Sequence, residues 1–338
     1  MHSTSAAGEL EELMQDTVKF IGGVADKLWT AGTSAKDMLL DGEKKGDGNK
    51  SKERSSLGFY ECNGVMETKS FEDLDMLESG HAREYITDEC LLPCPTLKRW
   101  STCNVVKDGK TAFRMYLDET HTRFMLSAKR VGDSFYISQY ESFPDSVDDV
   151  PDLYYCAVLR TCSEGHFKLF LNGCEACDRK TDKYTCGSGD RCDDRQLLAE
   201  INHSVRRVKE ANADMRCLSI KLPKIHEDKQ SREVWCPRMN QLRRQVGDLD
   251  KAGHVRLMNK LPEWNEALQS LVLRFNKGRV LAPSAKNFLI CMMAGQDKRE
   301  GVLQFGKTRK RRYALDFRHP ISPLQAFGIC LSLFKWNI

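Results

Sequence analysis

The chain is 338 residues long, 41% hydrophobic and 30% charged, enough for a buried core, and no apolar run is long enough to cross a membrane as a helix. Its net charge of +4 conceals a split: residues 1–95 carry 10 basic and 19 acidic side chains, leaving 42 basic and 29 acidic in the rest. A basic folded part behind an acidic arm points to an anionic partner, whether membrane, nucleic acid or acidic protein.

Met1-His2-Ser3 opens no secretory signal, and position 2 is not the glycine that myristoylation needs. The expectation is an intracellular chain that reaches membranes only by its surface. Residues 8–31 predict an amphipathic helix with Leu10, Met14, Ile21, Val24 and Leu28 on one stripe, interrupted by Gly22-Gly23. It would dock on protein, or lie on a membrane through Phe20 and Trp29. Residues 41–56 are polar, Gly-rich and without apolar anchors, so 1–56 read as a partly disordered N-terminal arm. Residues 57–95 form an acidic segment without a decisive pattern.

From residue 96 the pattern becomes short β-like runs. They fall at Phe113–Leu117, Phe124–Ala128, Phe135–Tyr140, Tyr154–Leu159, His166–Leu171, Leu218–Leu222, Ser270–Phe275, Phe288–Met293, Val302–Phe305 and Tyr313–Phe317. Turn signals such as Asp108-Gly109 and Gly132-Asp133 separate them, arguing a sandwich or barrel. Arg195–Lys209 reads as a helix carrying Leu197, Leu198, Ile201 and Val205 on one face.

Pro320 and Pro323 open Leu324–Phe334, which is apolar nearly all round and must be buried. Its helix would span about 16 to 21 Å, short of the roughly 30 Å hydrocarbon core of a bilayer. The preceding strands must therefore bury it. A closed antiparallel β-barrel around a central hydrophobic C-terminal helix, class α+β, does this and removes exposed sheet edges.

Lys260–Ile290, with its Pro-x-Trp-Asn, Gln-Ser, Gly-Arg-Val and Lys-Asn-Phe blocks, resembles the tubby C-terminal domain signature. Val302–Gly306 resembles that family's Gln-Phe-Gly strand, and Ala314–Phe334 its closing segment. Phe124–Arg130, Phe135–Ser138, Val158–Arg160 and Leu218–Pro223 resemble its earlier strands, so the likeness covers residues 96–338. The resemblance implies about twelve strands around the helix and binding of phosphatidylinositol 4,5-bisphosphate at the inner leaflet. It also implies headgroup contacts, which carry over to Lys129, Arg130 and Arg160. Two departures stand out: the basic run shrinks to Lys129-Arg130 before Val131-Gly132-Asp133, and the family's Lys before Leu-Arg is Val158.

Lys307–Arg312 holds five basic residues in six, between two predicted strands, and reads as a hairpin tip outside the family pattern. It is a solvated turn, a second contact with anionic lipid, or a nuclear-import or nucleic-acid element; no aromatic residue interleaves it for base stacking. Of 14 cysteines, Cys174, Cys177, Cys186 and Cys192 cluster; the second pair is spaced too widely to diagnose zinc, and reduced free thiols are the simpler reading beside structural zinc and a redox role. No Walker loop, His-Glu-x-x-His or Gly-x-Ser-x-Gly motif occurs.

The expected function is a non-enzymatic phosphoinositide-binding module without cofactor or metal. It would sit in the cytoplasm, peripheral to the inner face of the plasma membrane, and serve membrane-protein trafficking with protein partners on the N-terminal arm. The alternatives are a nuclear or nucleic-acid-binding regulator and a phospholipid scramblase-like protein. Nucleic acid is the less favoured partner, and Leu324–Phe334 is too short for the inserted helix a scramblase requires.

Overall fold

The computed structural model describes residues 17–19, 88–94, 99–117, 123–141, 155–175, 195–209, 213–226, 228, 231–245, 253–267, 270–275, 278–294 and 298–336. Four hairpins open the barrel: β2 (Ser101–Asp108) with β3 (Ala112–Tyr116), β4 (Phe124–Val131) with β5 (Ser134–Ser138), β6 (Ala157–Ser163) with β7 (His166–Leu171), and β8 (Leu197–Val208) with β9 (Ala213–Pro223). They are completed by β10 (His254–Asn259), β13 (Phe288–Ala294), β14 (Lys298–Arg309) and β15 (Arg312–Phe317). The closed order is β10-β13-β14-β15-β2-β3-β4-β5-β6-β7-β8-β9, antiparallel throughout. A short sheet outside it joins β1 (Thr17–Lys19), β12 (Ser270–Arg274) and β11 (Glu263–Asn265). The helices are α1 (Asp88–Leu91), α2 (Pro237–Gln245) and α3 (Pro323–Lys335).

The alternation of large apolar residues builds the core: Phe113 and Met115, then Phe135 and Ile137, then Phe167, Leu169 and Leu171 point inward. They surround α3, whose residues from Pro323 to Phe334 are all buried. Its start is set by Ser322 and Gln325, which accept each other's backbone N–H groups, with Pro323 in the first turn. The expected barrel around a hydrophobic C-terminal helix is thus the observed architecture. Among the described residues no helix is long and apolar enough to cross a membrane.

Arg195–Lys209 is not a helix but strand β8. Its apparent helical spacing comes from a bulge: Leu169 faces Ala199 while Phe170 faces Leu197, so Leu198 is the extra residue. The bulge sends both Leu198 and Ala199 into the interior, and the Leu198 carbonyl accepts from Gln325 Nε2 of α3 at 2.9 Å. Pairing with β7 and β9 outweighs the local pattern. Within the expected helix 8–31 only Thr17–Lys19 are described; they form β1, as β-branched Thr17 and Val18 favour, paired with β12. The remainder of that helix, the 41–56 linker and all of 57–95 except 88–94 lie outside the described residues.

Loop residues 278–287 run along β14, where Leu281 and Ala282 donate to the Lys307 carbonyl at 3.1 and 3.0 Å. Gly306 makes this approach feasible, because a Cβ there would lie 2.4 Å from Val280 Cγ1. Gly306→Ala should therefore cost about 1–3 kcal/mol, read as a lower urea midpoint. Val280→Ala in the same chain should recover part of the loss. An unchanged midpoint for the single variant would show that the loop does not press on β14.

Candidate anion-binding end of the barrel

Antiparallel connectivity puts the β2/β3, β4/β5, β6/β7, β8/β9 and β14/β15 tips at one end of the barrel. The C-terminus of α3 emerges there, where Lys335 pairs with Asp133 of the β4/β5 tip. That contact holds the Asp133 carboxyl below the usual carboxylate range. Backbone bonds chain the neighbouring tips: Lys107 N–H to the Arg311 carbonyl, Arg130 N–H to Thr111, and Thr161 N–H to Asp133. The rim from the β14/β15 tip to β6 is thus a connected frame.

All three candidate residues lie at this end, but not on one face. Lys129 stands opposite Tyr136, which stands opposite Val158. Tyr136 and Val158 belong to an outer apolar patch with Tyr155 and Phe170. Arg160, two residues beyond Val158, shares that outer face. Strand spacing places the Lys129 and Arg160 backbones roughly 12 Å apart, within reach of one multiply phosphorylated ring. Arg130 stands opposite Phe135, a core residue, so it belongs to the inward row at the mouth. Its Nε donates to the Gly132 carbonyl at 3.3 Å, and it adds to the field on Asp133.

Lys168 is a residue that sequence reasoning missed. It lies directly opposite Arg160 across β6 and β7, with Cβ atoms expected about 5 Å apart. Like charges so placed repel unless an anion sits between them. Beyond it, Glu200 pairs with Lys221 at 3.7 Å. The only sequence signal was the polar position in the alternation His166-Phe167-Lys168-Leu169; the partner across the strands is a non-local fact.

More cations surround the end of α3. Lys286 Nζ donates to the Leu333 carbonyl at 3.0 Å and lies 5.5 Å from the Phe334 ring, with Lys107 at 5.7 Å on the same ring. Arg216 lies over Trp336 at 5.3 Å. Burial, then repulsion from Arg216 and Lys107, lowers the Lys286 pKa to about 8. Lys107, Arg216 and Lys286 thus gather positive charge at this mouth. The buried thiol Cys174 is described, whereas Cys177, Cys186 and Cys192 lie outside the described residues. Among the described residues no group of His, Cys, Asp and Glu could hold a metal ion.

Comparison with known proteins adds a family likeness. The Tub family model matches residues 91–336. Tubby protein homolog 1 of Caenorhabditis briggsae is 28% identical over 264 residues, covering 74% of this chain and 58% of that protein. Tubby-like F-box protein 3 of Arabidopsis thaliana is 44% identical over 93 residues, 26% of this chain and 23% of the relative. Tubby-related protein 2 of Mus musculus is 44% identical over 89 residues, 26% and 15% respectively. The chain thus spans less than two thirds of these relatives' lengths, from 15% to 58%.

Proposed function

The chain belongs to the Tub family, and on that premise we propose that it is a phosphoinositide-binding module directed to phosphatidylinositol 4,5-bisphosphate. One observation carries the reading: Lys129 and Arg160 share an outer face at the basic end of the barrel, with Lys168 opposite Arg160. Arg forks and Lys point charges together suit a ring bearing several phosphates. Arg130, on the inward row, adds to the field at the mouth rather than gripping the ring.

Binding recruits the chain to the inner face of the plasma membrane and releases it when the lipid is hydrolysed. The N-terminal arm then supplies protein contacts, in keeping with a trafficking role. The chemistry is recognition rather than catalysis.

The test measures full-length chain on phosphatidylcholine vesicles with and without a few per cent phosphatidylinositol 4,5-bisphosphate. Lys129→Ala with Arg160→Ala should weaken the lipid-dependent binding about a hundredfold, from two lost charge-assisted contacts. Lys168→Ala should add about tenfold, while Arg130→Ala should change it only a few-fold. Undiminished binding by the double variant would move the headgroup site elsewhere.

A further inference from the structure

We propose that the β14/β15 hairpin tip and the neighbouring Leu281 form a second membrane contact, one that reads anionic lipid charge rather than a particular headgroup. It rests on the reading of the chain as a membrane-binding module, and it uses residues remote from Lys129 and Arg160.

The first observation is conformational. The β6/β7 and β14/β15 hairpins are built alike: Ser163 pairs with His166 and Arg309 with Arg312, each after a register shift in the same place. The second turn residue is left-handed in both, Gly165 at φ 72° and Arg311 at φ 60°. The β2/β3 and β4/β5 tips also use glycine in this region, at Gly109 and Gly132. Among the described residues Arg311 is the only non-glycine with positive φ. A left-handed arginine carries a steric penalty that glycine avoids. The tip therefore presents charge where the turn itself favours glycine, the kind of outlier that points to function.

The second observation is what lies beside the tip. Arg309, Lys310 and Arg311 are exposed, and their side chains make no ion pair among the described residues. The bonds from Leu281 and Ala282 to the Lys307 carbonyl hold Leu281 against the base of this hairpin. Leu281 is 72% exposed, well above the 47% of Val205 and Leu242 and the 42% of Met258, the other exposed large hydrophobics among the described residues. A single exposed leucine is ordinary; one fixed beside a cluster of exposed cations has the composition of an interfacial anchor, with the apolar group entering below the headgroups and the cations lying among them.

The third observation is geometric. The hairpin lies at the same end as the Lys129 and Arg160 strands, joined to it by the backbone bonds along the rim. A bilayer that meets one contact is presented to the other. An extended nucleic-acid strand would want stacking aromatics near the tip, and residues 307–312 contain none.

The experiment uses the full chain at one salt concentration with three vesicle types: phosphatidylcholine alone, phosphatidylcholine with phosphatidylserine, and phosphatidylcholine with a few per cent phosphatidylinositol 4,5-bisphosphate. The hairpin variant carries Arg309→Ser, Lys310→Asn and Arg311→Gly, the last compatible with the turn. It should bind phosphatidylserine vesicles on the order of a hundredfold more weakly than wild type, about fivefold per basic residue. Leu281→Ser should lose about fivefold on the same vesicles, and the hairpin variant should show the same loss when made in a chain that also carries Lys129→Ala and Arg160→Ala.

Unchanged phosphatidylserine binding by the hairpin variant, or none by wild type, overturns this inference. It leaves the headgroup site standing if the Lys129, Arg160 variant still loses its phosphoinositide response. The reverse pattern supports the hairpin contact and removes the headgroup site. Hairpin-dependent binding of duplex DNA tighter than that of phosphatidylserine vesicles would overturn the membrane assignment in favour of nucleic acid.

Discussion

Asp316→Ala is expected to lower the unfolding free energy by about 3–5 kcal/mol, the largest single-residue effect at the wall of the barrel. Asp316 is wholly buried on β15. Its carboxylate accepts from Arg279 Nη1 and from Gln304 Nε2, the latter at 2.6 Å. Arg279 Nη2 also donates to the Cys103 carbonyl at 3.2 Å and to Asn104 Oδ1 at 3.0 Å, so one guanidinium ties the loop after β12 to β15 and β2. Alanine at 316 removes the carboxylate to which both Arg279 and Gln304 donate, and the desolvation of those groups that it no longer offsets sets the size of the loss.

Asp316→Asn, which keeps the shape, should cost less, and Arg279→Met with Asp316→Leu should cost less than Asp316→Ala because both charges leave together, although Gln304 and Asn104 each still lose a partner. Urea midpoints of the full chain measure all three. A single variant within 1 kcal/mol of wild type, on the scale of a surface ion pair, would show that the pair does not clamp the loop. The clamp also has a functional reach: Arg279 begins the segment that presents Leu281, so Asp316→Ala should weaken phosphatidylserine binding even at urea-free, folded conditions.

The parts of the fold legible in the sequence were those with a local cause. Leu324–Phe334 is apolar nearly all round, and that alone demanded an enclosing sheet, which the barrel supplies. The β3, β4, β7 and β15 runs declared themselves by aromatic and aliphatic density. Strands β2 and β10 did not, because their polar residues dominate short segments such as His254-Val255-Arg256. In β8 a bulge imitated helical spacing, and in β12 a correctly read strand turned out to lie outside the barrel.

The candidate site divides along the same line. Lys129, Arg130 and Arg160 came from a family likeness, and the pleat that separates Arg130 from the others follows only from register. Lys307–Arg312 could be read as a hairpin tip from its flanking strands. That Leu281 lies beside it depends on a loop crossing β14, some 26 residues away in sequence.

The second large effect is on the acid side of stability. His203 on β8 is 8% exposed, its Nε2 lies 2.9 Å from Ser332 Oγ on α3, and its ring contacts Phe167 and Trp336. Burial, then the positive charges of Arg216 and Lys286, lowers its pKa to about 3. Its Nδ1 has no partner among the described residues, so the imidazolium would be buried without an acceptor on that side. The unfolded chain binds a proton near pH 6.5 and the folded chain does not until about pH 3. Between those values the unfolded state holds more protons, so stability falls as pH falls, by about 1.4 kcal/mol per unit. The loss from this residue is about 2 kcal/mol at pH 5 and about 4 kcal/mol near pH 3.5.

Lys286 has the same sign at the other end of the scale. Its depressed value near 8, against 10.5 unfolded, makes stability rise with pH through that interval. Urea midpoints for wild type and His203→Gln at pH 7 and pH 5 isolate the histidine, since glutamine can still meet Ser332 and does not titrate. Wild type should lose about 2 kcal/mol more than the variant over that step, and equal losses would mean that His203 is not held neutral. Because His203, Arg216 and Lys286 all surround the end of α3, the positive charge gathered at this mouth also makes it the place where acid weakens the barrel's grip on its helix.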